Sequence, residues 1–278
     1  MIGSRTRLRA ALLQKRRRYG IAGMAAPRAH RGDGYEFSEL REYVAGDDPR
    51  RIDWAATARA GTLQTRILQE DRALTLAGAL DASPSMGVGR TRSAYDRGLE
   101  ALAVWFTLAL SDDRCARVRA NGIVADPHRR GPSAAHVCLA ERAEPQRSFT
   151  ATLQVALATL SRDASLLLVS DFYDIDEAEP ALRQLAVRCD VTGLLIADPW
   201  RDGLPLAGFV RLSDAETGAQ ERLFIGRRER ERFRQSILRR ETAICRRLEN
   251  IGVRAGVLNH DAELALMQSF GIAGGVIA

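Results

Sequence analysis

Asp81, Ser83 and Ser85 stand at alternate positions in LTLAGALDASPSMGVG, where an apolar run meets two glycines. Three chemistries use such a set. The simplest is structural: Ser83 followed by Pro84 is good N-cap and first-turn chemistry for a helix. A second is nucleophilic catalysis, which needs a base within reach of the serine and an oxyanion hole. The chain has no Gly-x-Ser-x-Gly, and none of its four histidines sits in a recognisable catalytic setting. The third is a divalent cation. Magnesium takes octahedral oxygen ligands and keeps several waters. Two hydroxyls at i and i+2 with a carboxylate behind them suit that demand. Low ligand charge also leaves the ion electrophilic enough to accept a carboxylate from another protein. A second carboxylate, Asp171, ends the apolar run LLLVSD.

The elements that must position these groups are legible from Leu74 onward. LTLAGALD, ASLLLVSDF, CDVTGLLIAD and GVRAGVLN read as strands. Helical spacing marks TRSAYDRGLEALAVWFTLAL, TATLQVALATLS, DEAEPALRQLAVR, roughly 226–250, and AELALMQSF. ARVRANGIVAD suggests a hairpin at Asn121–Gly122, and GFVRL and QERLFI flank the turn SDAETGA. Continuous apolar strands alternating with helices predict an α/β fold with a doubly wound, mostly parallel sheet. In such sheets ligands bind beyond the C-terminal strand ends, where the strand order reverses. If the strands ending in Asp81 and Asp171 are neighbours, both carboxylates face one crevice.

Composition sets the outer limits. The 278 residues are 46% hydrophobic and 27% charged, ordinary for a globular chain. The longest uncharged apolar run, ALAVWFTLAL, is about half the ~18 residues of a membrane span. The N-terminus lacks the apolar core of a secretory signal. The four scattered cysteines have neither metal nor redox spacing and read as reduced thiols of a cytoplasmic protein. Residues 1–31 form a basic N-terminal arm carrying +9 of a net +6, which leaves the remainder at −3. Such an arm, partly helical and solvated, could also touch phosphate, anionic lipid or an acidic partner. Lys15 is the sole lysine, so the arginine content reflects a general bias and says little about phosphate recognition. Residues 32–73 read as a mixed strand and turn segment, with Asp53 capping a short helix that Gly61 ends, and residues 74–278 as the sheet domain.

Asp-x-Ser-x-Ser after the first strand of a doubly wound sheet resembles the metal-ion-dependent adhesion site of von Willebrand factor A domains. The upstream YEFSELREYVAGDDPRRIDWAATARAGTLQTRILQED, Tyr35 to Asp71, closely resembles the hallmark of the bacterial domain-of-unknown-function family fifty-eight. LLIADPWRDGLPLAGFVRLSDAETG is similar to a later part of the same family, so the resemblance covers roughly residues 30–275. It implies a von Willebrand factor A-like (Rossmann-type) domain holding Mg²⁺ (or Mn²⁺). Asp81, Ser83 and Ser85 match the first metal loop and Asp171 the third. The second loop of the family offers a threonine, often in Gly-Thr-Asp-Leu. Here RSFTATLQVAL stands instead, with Thr150 preferred as the ligand over Thr152.

The resemblance further implies a non-enzymatic adaptor or co-chaperone of a MoxR-type AAA+ ATPase, working in protein-complex assembly or metal insertion. A client protein would offer its carboxylate to the metal. This reading expects no nucleic-acid partner and allows peripheral membrane contact through residues 1–31. Many relatives carry N-terminal membrane spans, where this chain shows the basic arm. The alternative function is a nucleic-acid or anionic-membrane surface binder acting through that arm. A hydrolase is the remaining rival. In GDDPRRID, the residues Asp47, Asp48, Arg50 and Asp53 read first as a turn with local ion pairs and, if functional, as a partner-docking surface. Trp54 is expected to anchor a core.

Overall fold

The computed structural model describes residues 4–19, 35–44, 49, 52–70, 73–89, 91–140, 148–203, 208–213 and 220–272. The elements run α1 (Ser4–Tyr19), β1 (Tyr35–Glu42), α2 (Trp54–Ala60), β2 (Gln64–Glu70), β3 (Thr75–Leu80), α3 (Ala94–Phe106), β4 (Arg114–Arg119) and β5 (Gly122–Val124). They continue as α4 (Gly131–Ala140), α5 (Phe149–Thr159), β6 (Ala164–Ser170), α6 (Ile175–Arg188), β7 (Asp190–Ile196), β8 (Gly208–Ser213), β9 (Gln220–Ile225), α7 (Arg227–Asn250), β10 (Arg254–Leu258) and α8 (Ala262–Ser269). The chain divides into two compact units, Ala22–Ala73 and the remainder, with α1 belonging to the latter.

The larger unit is built on a six-stranded sheet in the order β10-β7-β6-β3-β4-β5. All neighbours are parallel except β5, which turns back on β4 as an antiparallel edge. Leaving β3, the chain moves outward through β4 and β5, then returns to add β6, β7 and β10 on the other side. The order therefore reverses between β3 and β6, the crevice where doubly wound sheets bind ligands. Both faces are covered, which explains why β6 is buried at all seven positions. Leu167 and Val169 face one core with α1, α3, α4 and α8. Leu166 and Leu168 face the other with α5, α6 and α7. Helix α3 lies close against β3, because Gly78 and Gly98 leave room. A Cβ at Gly78 would come within 2.7 Å of Leu102, and one at Gly98 within 2.2 Å of Leu80. Trp105, fully buried on α3, gives its indole N–H to the Ala77 carbonyl at 2.9 Å.

The basic N-terminal segment is not simply solvated. Leu8 and Leu12 of α1 are fully buried in the first core, and the Arg9 guanidinium donates to Leu108 O and to the Asp113 carboxylate. Asp113 is itself buried and also accepts from the amides of Leu74 (2.6 Å) and Leu110 (2.7 Å). Helix α4, GPSAAHVCLA, has no counterpart in the sequence reading. It starts at Gly131, whose positive φ of 55° and amide bond to Asp113 O (2.7 Å) set its first turn. All four cysteines are free, and among the described residues no helix is long and apolar enough to cross a membrane.

In the smaller unit β1 and β2 pair antiparallel, with a register shift between Phe37 and Glu39. Asp53 caps α2 through its carboxylate to Ala56 N at 2.9 Å, and Gly61 ends the helix at φ 72°. Trp54 does not anchor a core. It is 69% exposed, because the seven-residue α2 buries only Ala56.

The Arg9–Asp113 pair generates a prediction. Asp113→Ala strands a guanidinium that is only 12% exposed together with the buried Leu74 amide, at a cost of about 3 kcal/mol or more. Chemical denaturation should show that loss, and hydrogen exchange in α1 should rise first. A loss below about 1 kcal/mol with α1 still protected would contradict this anchoring.

Candidate functional site

Strand β3 ends by giving the Asp81 amide to Val169 O at 2.9 Å, so the ends of β3 and β6 are stitched together. The two loops that leave them are further tied by one carboxylate. Asp81 is 3% exposed. Its Oδ1 accepts from the Ser83 amide at 2.8 Å, and its Oδ2 from the Ser170 hydroxyl at 2.6 Å. Ser170 Oγ in turn accepts from Phe172 N at 2.8 Å. Burial pushes the Asp81 carboxyl up to about 6. The bonds from Ser170 and Ser83 offset part of that rise, and the nearby Asp171 charge adds to it.

The next turn tests the simple capping role of Ser83. Residues Pro84–Gly87 form a 3₁₀ turn with Ser83 at its N-cap and proline first, as the sequence suggests, but the Ser83 side chain makes no cap bond. Its hydroxyl lies 3.0 Å from that of Ser85 instead. The turn thus presents two hydroxyls side by side in front of a buried carboxylate.

Asp171 follows β6, half-buried, with Oδ1 accepting from Tyr173 N at 3.1 Å. Phe172 takes φ 49°, a left-handed conformation uncommon for a bulky residue. That conformation lets Phe172 bury itself against Phe149 (ring centroids 5.8 Å apart) while Tyr173 swings out to 68% exposure. Phe149 opens α5, and Thr150 follows it. The Thr150 hydroxyl is buried and has no hydrogen-bond partner among the described residues. Buried hydroxyls are normally satisfied, so an orphan of this kind asks for an explanation.

The structure therefore gathers Asp81, Ser83, Ser85 and Asp171 at the switch point, with Thr150 in the first turn of α5, next to the Phe149 that packs on Phe172. Thr152 is buried within α5. Among the described residues no three His, Cys, Asp or Glu side chains cluster as a ligand set, so the candidate centre is one of hydroxyls and two carboxylates. Asp47, Asp48 and Arg50 lie outside the described residues. Asp53 is placed as a helix cap in the smaller unit. Two contributors escape a sequence reading. Ser170 looks there like any small residue ending a buried strand. Arg240, on α7, donates from Nη2 to Asp171 O at 2.9 Å and stacks 4.6 Å from the Tyr173 ring centroid. Only the adjacency of Ser170 to Asp171 could have hinted at the former, and nothing in an arginine-rich helix singles out the latter.

These features define a doubly wound α/β protein with a set of side-chain oxygens at its switch point. The family model described as "Protein of unknown function DUF58" matches residues 39–243, and the chain belongs to that family. It is 30% identical over 233 residues to the uncharacterised proteins Mb1516 of Mycobacterium bovis and Rv1480 of Mycobacterium tuberculosis. The match spans 80% of this chain and 73% of each of theirs. Among solved structures, similarity in fold extends to a conserved hypothetical protein, BatB, from Bacteroides thetaiotaomicron. That match has TM-score 0.42 and 14% identity, over 72% of this chain and 98% of that one. A von Willebrand factor type A protein from Catenulispora acidiphila is similar at TM-score 0.39 and 11% identity, over 75% and 43% of the two chains.

Asp81 makes the stability of the metal-free protein depend on pH. Its carboxyl binds a proton more readily folded than unfolded, so it adds stability as pH falls from about 6 toward its ordinary value of 3.8. Relative to Asp81→Asn, which cannot titrate, the wild-type chain in EDTA should gain about 1 kcal/mol between pH 7 and pH 5. Parallel pH–stability curves for the two proteins would overturn the assignment.

Proposed function

We propose that the chain is a non-enzymatic, metal-dependent protein-binding module. It holds Mg²⁺ (or Mn²⁺) between the ends of β3 and β6 and captures a carboxylate of a client protein. The observation that carries this reading is the Ser83–Ser85 hydroxyl pair, 3.0 Å apart, set before the buried Asp81. The orphan hydroxyl of Thr150 supports it.

The donor set fits a hard cation, since every candidate ligand is an oxygen. Ser83 and Ser85 would bind the ion directly, Asp81 and Asp171 chiefly through waters, and Thr150 as a further ligand. A bound ion would supply an electrophilic centre for an incoming carboxylate. The remaining work belongs to the chain. The Ser170 and Ser83 bonds fix the Asp81 carboxylate in one orientation. The left-handed turn at Phe172 sets the course of the Asp171 loop beside them. The adaptor or co-chaperone role beside a MoxR-type AAA+ ATPase, in the cytoplasm, rests on the family resemblance.

Two tests follow from this reading. In titrations with Mn²⁺, Asp81→Ala should abolish binding. Thr150→Val should weaken it about tenfold, while leaving the metal-free fold as stable or more so, because an unsatisfied buried hydroxyl is removed. Wild-type affinity in both variants would sink the metal reading. Affinity should also fall below about pH 6, where Asp81 takes up its proton. For the partner, pull-down from the native cell with Mg²⁺ should enrich an AAA+ ATPase, and EDTA should release it. Enrichment indifferent to EDTA, or no ATPase at all, would refute that part.

A further inference from the structure

Helix α7 spans twenty-four residues, about 36 Å at 1.5 Å per residue, whereas its partner strand β10 has only five. It therefore extends well beyond the strand it covers. Its inner face buries Ile237, Ile244 and Leu248, together with Glu241, which pairs with Arg201 at 2.9 Å. Seven of its nine arginines, all but Arg227 and Arg230, fall into two groups. Arg240, Arg234 and Arg247 are engaged: Arg240 on Asp171 O and Tyr173, Arg234 on Glu231, and Arg247 on Asp176 and Glu179. Arg228, Arg232, Arg239 and Arg246 are exposed, and among the described residues none of them has an ion pair.

These four arginines are in register. With Gln235 and Thr242 they step along α7 by four and three residues, from 228 through 232, 235, 239 and 242 to 246, and all six are exposed. That is a heptad seam, the spacing by which one helix receives another. Here the seam is charged instead of apolar. Like charges four and seven residues apart repel. Between Arg239 and Arg246 lies a shallow cleft of about 330 Å³ walled by Leu238, Thr242 and Ala243. Such a cleft can seat one small apolar side chain between two ion pairs.

We infer that this seam is a docking surface for an acidic helix of a partner protein, with glutamates or aspartates at heptad spacing opposite the arginines. Charge complementarity identifies the occupant, and the heptad register identifies its shape. A nucleic-acid strand fits less well. Glu229 and Glu231 interrupt the basic helix, and one arginine of that stretch is already committed to Glu231. The surface stands on α7 alone, so it holds or fails separately from the cation cleft.

The probe is a fluorescein-labelled helical peptide of about three heptads with glutamate at the first and fourth positions of each, followed by anisotropy at low salt. It should bind the full chain in EDTA as well as in Mg²⁺. Arg232→Glu with Arg239→Glu, both at exposed positions, should weaken binding at least about tenfold without altering Mn²⁺ affinity. A lysine version of the peptide should bind that variant and not the wild type. No binding of the acidic peptide, equal binding to wild type and variant, or stronger binding of a single-stranded oligonucleotide of similar length would each overturn the proposal.

Discussion

One carboxylate, taken out of water at the reversal point of the sheet, organises the functional edge of this protein. Asp81 could not sit there bare, since an unpaired buried charge costs several kcal/mol. It is held by an amide from its own loop and a hydroxyl from the neighbouring one, so the ends of β3 and β6 form a single unit. Around that unit the oxygens that sequence spacing singles out come together. The same burial raises its pKa, which makes the group easier to protonate than the surface acids of the chain.

The strain at Phe172 belongs to the same arrangement. A left-handed bulky residue costs roughly 1–2 kcal/mol and persists where surrounding contacts demand it. Here the demand is geometric. The ring must reach Phe149 in the core while the flanking Asp171 stays at the cleft and Tyr173 reaches the surface. Arg240 then covers Tyr173 and holds the Asp171 carbonyl, so α7 supports the cleft from outside. The protein thereby combines a rigid oxygen-lined edge with a long basic helix running past it.

Much of this arrangement was legible in the chain. The apolar runs ending at Asp81 and Asp171 are sharp, because parallel strands buried on both faces are mostly apolar. Their ends therefore announce themselves. Asp53 and Gly61 were readable for a similar local reason, since cap chemistry depends on neighbours three residues away. What escaped is non-local. The Arg240–Asp171 contact joins residues 69 apart. The docking of α1 turns on Leu8, Leu12 and the Arg9–Asp113 pair, amid a run of cations that reads as solvated. Helix α4 buries only a stripe of small residues, Gly131, Ala134, Ala135 and Cys138, and its start depends on a glycine in a left-handed conformation. Trp54 misled because size suggests burial, while a seven-residue helix has little to bury it against. Thr150 was named by analogy of position, and only the structure supplies a physical reason, its unsatisfied hydroxyl.

The central claim is that side-chain oxygens from separate loops share one divalent cation. The most direct measurement is an anomalous difference map from crystals of the protein soaked in Mn²⁺. The account predicts one strong peak in the cleft, about 2.0–2.2 Å from the Ser83 and Ser85 hydroxyls, that disappears in Asp81→Ala. A saturating soak that leaves the cleft without a peak, or places the metal away from both serines, would contradict it.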